Sequence, residues 1–257
     1  DRKIDTIAGL TLEVIERMTR LDAVNHKGFK QWHGSYHLNT EVLKLILDEL
    51  VTEAGVRPFL HANFAAPVLA DGKPVAAIIE DKSGRRAIRA AYFADATGDG
   101  DFVARAGLPT RKAAQLQPPT MCAIWRGLGE LGRKFPEYAQ GENSFNLRRA
   151  IFNPDFPESI PEGNAWWNQV PGSTDETMLA GVRVFKTDCS EADELTQGEL
   201  RGRRGVYSIM QLLRNQFMDG KGQPLVTIAS QIGIRMSRQA CCEHQVTQEE
   251  LLRGHRF

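Results

Sequence analysis

"FADATGDGDFVARAGLP", residues 93–109, joins a short apolar run to an Ala-rich helical pattern through two glycines and three aspartates. Gly98 and Gly100 interleave with Asp95, Asp99 and Asp101. Glycine has no Cβ, so a turn built on Thr97, Gly98, Asp99 and Gly100 lets a ligand come close to the backbone. The helix that follows directs its first N–H groups at the same junction, which suits an anion or a hydrogen-bonding sugar. A capped strand-to-helix turn with solvated carboxylates fits the same residues, and Asp101 reads as a cap or first-turn carboxylate. The "DGD" triplet resembles part of a calcium loop, but the alternating oxygen ligands and closing glutamate are missing, so no metal is expected there.

Upstream, "HLNTEVLKLILDELVTEAGV" predicts a helix capped by Asn39 or Thr40, with Leu43, Leu45, Ile46 and Leu50 as its buried stripe and Gly55 as its stop. A second amphipathic helix is expected from about Leu10. Between residue 56 and the opening stretch, DG and SG pairs separate short apolar runs, the pattern of a β-meander that leads into a final buried strand over 91–96.

Downstream, "QLQPPTMCAIWRGL" reads as a strand behind two prolines. Residues 134–178 form a long, partly irregular excursion in which the Trp166-Trp167 pair is expected to pin a loop. A long amphipathic helix follows, facing inward through Leu200, Val206, Ile209, Met210 and Leu213. Thr247 and Glu250 stand at capping-box spacing.

The composition excludes several classes. The 257 residues carry equal numbers of basic and acidic side chains, so no net field points to nucleic acid or an anionic membrane. No apolar run reaches the roughly 20 residues of a membrane helix. Cys122, Cys189, Cys241 and Cys242 lack metal-ligand spacing and read as reduced thiols of a cytoplasmic protein. His33 and His37 are four apart, but Gly34 and Ser35 between them oppose a helix, so no zinc site is expected.

Four ordered stretches carry a resemblance. "ADATGDGDFVARAGLP" resembles the strand-turn-helix late in the FAD-binding domain of the FAD-dependent oxidoreductase family, which includes fumarate-reductase-like and glutathione-reductase-type flavoproteins. "LNTEVLKLILDELVTEAGVRPFLHANFAAPVLADGKPVAAIIED" is similar to that family's helix, strand and meander before the motif. "ELTQGELRGRRGVYSIMQLLR" and "IGIRMSRQACCEHQVTQEELLRGHRF" resemble its later helix and its G-x-R-x-S-R segment. Members open with a strand and a G-x-G-x-x-G turn that holds the FAD pyrophosphate. That fingerprint does not occur in these residues, so the chain is expected to be an internal portion of a longer flavoprotein.

The resemblance implies an α/β fold: residues 1–109 as part of a Rossmann-like FAD-binding domain with a β-meander, and residues 110–257 as an α+β substrate or cap domain. It implies FAD as cofactor, a small-molecule substrate, and transfer of a hydride or electron pair between the two. A non-catalytic scaffold that keeps the fold without the cofactor is the alternative. Carried over by position, Asn63 and Phe64 lie against the adenine, and Ala96, Thr97, Gly98, Asp99 and Gly100 line the pyrophosphate or ribityl chain. Arg235 and Arg238, in "GIRMSR" after a turn expected at Gly233, are the candidates for chemistry, because a guanidinium fork suits a carboxylate or the charge of a reduced flavin. Structural ion pairs to Glu243, Glu249 or Glu250 are the other use for the same arginines.

Overall fold

The computed structural model describes residues 8–27, 35–139, 145–158, 160 and 165–255. The chain begins with α1 (Leu10–Thr19), the paired strands β1 (Val24–Lys27) and β2 (Ser35–Leu38), and α2 (Thr40–Glu53). The meander β3 (Asn63–Ala70), β4 (Lys73–Asp81) and β5 (Gly84–Arg89) leads to α3 (Asp101–Arg105) and β6 (Thr110–Arg111). Next come β7 (Thr120–Arg126), α4 (Leu128–Lys134), α5 (Leu147–Ile151), β8 (Trp166–Gln169) and β9 (Glu176–Arg183). The long α6 (Ala192–Leu212), β10 (Leu225–Ile228), β11 (Gln239–Ala240) and α7 (Gln248–Arg253) complete this α/β chain.

Two compact units are interleaved in sequence. The first takes in Asp1–Pro58, Pro119–Phe185 and Thr196–Gly233, and the second takes in Phe59–Pro118, Lys186–Leu195 and Ile234–Phe257.

In the first unit, the Asn39 side chain caps α2 by accepting from the N–H groups of Glu41 and Val42, and Gly55 ends it at φ +69°. Ile46 is buried with Met18 and Ala23, and Val42, Leu43 and Leu50 pack against that cluster. Leu45, expected in the stripe, is 60% exposed. It stands one residue, about 100°, around the helix from Ile46, which puts it off the face that meets α1.

The main sheet of this unit runs β10-β7-β9-β8, with every pairing antiparallel. Helix α6 packs onto it through glycines rather than through Leu200, which is 54% exposed. A Cβ on Gly202 would stand 3.0 Å from Met121 Cβ, and one on Gly205 only 2.4 Å from Val182 Cγ1. The helix can approach the sheet this closely because those positions have no side chain. The excursion over 134–178 is more ordered than expected: Phe135, Tyr138, Phe145 and Phe156 surround Phe217, with ring centroids 4.9–5.7 Å from it. Trp166 and Trp167 belong to the edge strand β8, not to a pinned loop, and pair with Ala180 and Leu179 of β9. Gly233 is not a turn either: it exchanges both backbone hydrogen bonds with Thr120, at 3.0 and 2.9 Å.

In the second unit, β3, β4 and β5 form the expected meander. Asp71 and Gly72, at φ +51° and +74°, supply the left-handed pair that a tight two-residue hairpin needs. The buried strand expected over 91–96 is absent. This stretch is irregular, and Tyr92 is 92% exposed. A strand exists only by pairing, and none of the described strands runs beside this one.

Candidate functional site

Helix α3 is only five residues long, and four separate attachments hold it within the second unit. The Asp95 carboxylate makes the first. Its Oδ1 accepts from the Thr97 N–H at 3.1 Å and the Thr97 hydroxyl at 2.7 Å, while Oδ2 accepts from the N–H groups of Phe102 at 3.0 Å and Val103 at 3.1 Å. The Thr97 hydroxyl accepts in turn from the Asp101 N–H at 3.0 Å. Partial burial pushes the Asp95 carboxyl up. The hydrogen bonds from the Thr97 hydroxyl and from the N–H groups of Val103, Thr97 and Phe102 outweigh that, and hold it below the usual carboxylate range.

These bonds change what the junction offers a ligand. The helix N-terminus, expected to face an anion, is filled by the chain's own carboxylate and hydroxyl. The donors left are in the turn itself: the N–H groups of Gly98, Asp99 and Gly100 have no partner among the described residues. Gly98 and Gly100 sit at φ +83° and +62°, and nothing lies within 4 Å of where a Gly98 Cβ would stand. Successive N–H groups around left-handed residues form a concave donor surface for an anionic or carbonyl oxygen. Ala96, Thr97 and Gly98 are exposed, so that surface is open.

Aromatic packing makes the second attachment. Phe102 stacks on Phe64 at a centroid distance of 5.0 Å and on Phe93 at 5.3 Å. Arg105 makes the third. Its guanidinium lies 5.5 Å from the centre of the Phe64 ring and donates to the carbonyls of Phe64 and Ala65. A bulge between Phe64 and Ala66 interrupts the β3–β4 ladder at this point. Asn63, at the start of β3, is exposed, and Phe64 is half-buried. Phe64 and the turn over 96–100 therefore meet the same short helix.

The fourth attachment comes from far along the chain. Strand β11 pairs with β6 through Gln239 and Arg111, and the Cys241 N–H donates to the Pro109 carbonyl at 2.9 Å. That pairing delivers Ser237 and Arg238 to the turn. The hydroxyl of Ser237, a residue only 4% exposed, donates to Asp99 Oδ1. Arg238 donates through Nε to the Asp99 carbonyl at 3.2 Å and forms an ion pair through Nη2 with Asp101.

The two candidate arginines thus differ. Arg238 is engaged with Asp101 and Asp99. Arg235 is exposed and makes no hydrogen bond or ion pair with the described residues. Neither pairs with the three glutamates considered from sequence: Glu249 pairs with Arg253, Glu250 pairs with His244 and caps α7, and no ion pair to Glu243 is found among the described residues. Sequence reasoning missed Asp95 and Ser237. An aspartate two residues before a threonine is a recognisable local turn signal, so Asp95 had one. Ser237 had none.

The first unit holds a separate cavity of about 1060 Å³, with Glu130, Arg133, Trp166, Trp167, Asn168 and Asp175 in its walls. Among the described residues no group of His, Cys, Asp and Glu could hold a metal, and His33 lies outside them. No described helix is long and apolar enough to cross a membrane.

A family model described as FAD dependent oxidoreductase matches residues 1–257. No curated protein matches the chain. Similar solved structures include the flavin-dependent halogenase CmlS, 16% identical over 85% of this chain and 36% of its own, with a TM-score of 0.45. The flavin-dependent brominase Bmp2 is 15% identical over 89% of this chain and 53% of its own, with a TM-score of 0.41. Aklavinone-11 hydroxylase, in a ternary complex with FAD and aklavinone, is 12% identical over 82% and 35%, with a TM-score of 0.44. The chain spans 35–53% of the length of these three structures.

Proposed function

Because this chain belongs to the FAD-dependent oxidoreductase family, we propose that its second compact unit holds FAD at the turn over residues 96–100, in an enzyme that moves a hydride or electron pair between flavin and a small organic substrate. The observation that carries this is the set of open donors: the N–H groups of Gly98, Asp99 and Gly100 have no partner among the described residues, and Gly98 is exposed with room beside it. Such donors fit the phosphate or hydroxyl oxygens of a dinucleotide. Ala96 and Thr97 form the approach to them. Asn63 and Phe64, across α3, form the adenine end. In this reading residues 59–109, within the stretch 1–109, supply the flavin-binding part together with the 234–257 segment attached through β6 and β11. The rest of 110–257 supplies the substrate or cap part.

Bound there, FAD supplies two-electron redox chemistry, and the protein supplies position and charge. Asp95 keeps the turn in shape. Arg235 presents a planar cation with two parallel donors, which suits a substrate carboxylate or the anionic oxygen of a reduced ring. It is free to do so because no acidic partner among the described residues holds it.

Gly98→Val in the full-length protein tests the site. Valine is β-branched and disfavoured at φ +83°, and its side chain would project into the open space beside the donors. Titration with FAD, followed by flavin fluorescence, should show saturable binding for the unaltered protein and none for the variant. Far-ultraviolet circular dichroism of the two apoproteins should match. Unchanged FAD affinity in the variant would overturn the assignment.

A further inference from the structure

We infer that Ser237 and Arg238 are positioning residues that set the shape of the flavin-binding turn, and that Arg238 acts through this clamp rather than by touching substrate. The inference rests on the proposed flavin site and adds to it the device that preorganises that site. Asp95 secures the two ends of the turn, Thr97 at its start and Phe102 and Val103 in the helix after it. Its apex is another matter. Gly98 and Gly100 flank Asp99 there, and glycine is the residue that loses most backbone freedom on ordering. Left alone, Asp99 and its neighbours would sample several backbone conformations, and their N–H groups would converge on one point only part of the time.

The bonds that fix the apex all come from two adjacent residues about 138 positions away in sequence. Ser237 takes one oxygen of the Asp99 carboxylate, and Arg238 takes the Asp99 carbonyl with Nε and the Asp101 carboxylate with Nη2. The guanidinium therefore bridges the apex and the first residue of α3. Asp99's side chain and carbonyl are both held while its N–H stays free, which is the arrangement a donor surface needs. The side chain of Arg238 is only 19% exposed and Ser237 is buried, so these contacts are partly shielded from water. The edge of the fork formed by Nε and Nη2 is thereby committed to acceptors of the chain itself.

The test uses the full-length protein and FAD itself. Ser237→Ala and Arg238→Met should each weaken FAD binding about tenfold or more, by freeing the apex before binding and leaving its ordering to be met on binding. Arg238→Lys keeps a cation for Asp101 but cannot also reach the Asp99 carbonyl, so its loss should be intermediate. Ser237→Thr keeps the hydroxyl and should restore most of the affinity. The double variant should lose much less than the sum of the single losses, because both residues act on one apex. Arg238→Met also breaks the Asp101 ion pair and should lower the apoprotein melting temperature somewhat, so affinity is read on the folded protein.

A purely structural role would lower apoprotein melting and leave FAD affinity unaltered in whatever fraction folds. That result for Arg238→Lys, the mildest change, would overturn the inference even if Ser237→Ala failed to fold. The underlying site is judged separately. If Gly98→Val still binds FAD, the flavin site itself is wrong; if it does not, and the Ser237 and Arg238 variants bind normally, only the clamp is wrong.

Discussion

Asp95 and Val103 are eight residues apart, and the carboxylate Oδ2 of the first accepts the backbone N–H of the second at 3.1 Å. One side chain thereby closes the turn and caps the helix after it. Asp95→Ala should remove the cap and reduce unfolding free energy by about 1 kcal/mol, within the roughly 0.5–2 kcal/mol range seen when such caps are lost. Denaturant melts of the two apoproteins measure it. An unchanged midpoint would mean that water replaces the carboxylate at no cost.

The same contact sets a pH dependence. Asp95's carboxyl lies below the usual range in the folded protein, while the unfolded chain returns it to about 3.9. A depressed carboxyl contributes stability that is fully present above the unfolded value and is lost as pH falls through the lower folded one. The stability difference between the unaltered protein and Asp95→Ala should therefore be constant above about pH 5 and shrink steadily below about pH 4. Melts at a series of pH values check this, and a difference that grew on acidification would contradict the assigned direction.

In the first unit, Gly205→Ala should destabilise the fold. Alanine in a helix gains about 1 kcal/mol of intrinsic propensity over glycine. Against that, the new methyl would lie 2.4 Å from Val182 Cγ1, and valine has few rotamers with which to yield. Overpacking of this kind costs about 1–3 kcal/mol, so the net change should be a lower melting temperature. Gly202→Ala, at 3.0 Å from Met121 Cβ and 3.2 Å from its flexible Cε, should be milder. A stabilised Gly205→Ala would show that α6 can lift from the sheet without penalty.

The parts of this fold that follow local rules could be read from sequence. Asn39 and Gly55 bracket α2, Asp71 and Gly72 turn β3 into β4, and Thr247 with Glu250 caps α7, each within a few residues. What depends on distant partners could not. The run over 91–96 has the composition of a strand but no ladder partner among the described strands. Val206, Ile209, Met210 and Leu213 are buried as expected, but Leu200 is not, and the close approach to the sheet at Gly202 and Gly205 rests on residues with no hydrophobicity to detect. The turn over 97–100 was visible in its glycines. That Asp95 fills the helix end, leaving the ligand to the turn N–H groups, depends on hydrogen-bond geometry, and that Ser237 reaches Asp99 depends on the β6–β11 pairing.

Arg235 is the side chain proposed to meet flavin or substrate, and its lack of a partner among the described residues makes its role separable from stability. A guanidinium in an ion pair would lower the melting temperature when replaced. One that waits for a ligand should not. Arg235→Lys keeps the charge and loses the two-pronged planar geometry, which an ammonium cannot reproduce. If the fork orients a carboxylate, turnover of the full-length enzyme should fall by about ten- to a hundredfold, equivalent to roughly 1.4–2.7 kcal/mol of transition-state stabilisation, with FAD content unchanged. Arg235→Gln separates geometry from charge. If the cation also neutralises the reduced ring, this variant should lower the two-electron midpoint potential of bound flavin by about 30 mV, the equivalent of ~1.4 kcal/mol for a two-electron couple, while the lysine variant stays near the unaltered value. Unaltered kinetics and potential in both variants would place Arg235 outside the chemistry, whereas a fall in melting temperature without either change would make it a structural residue.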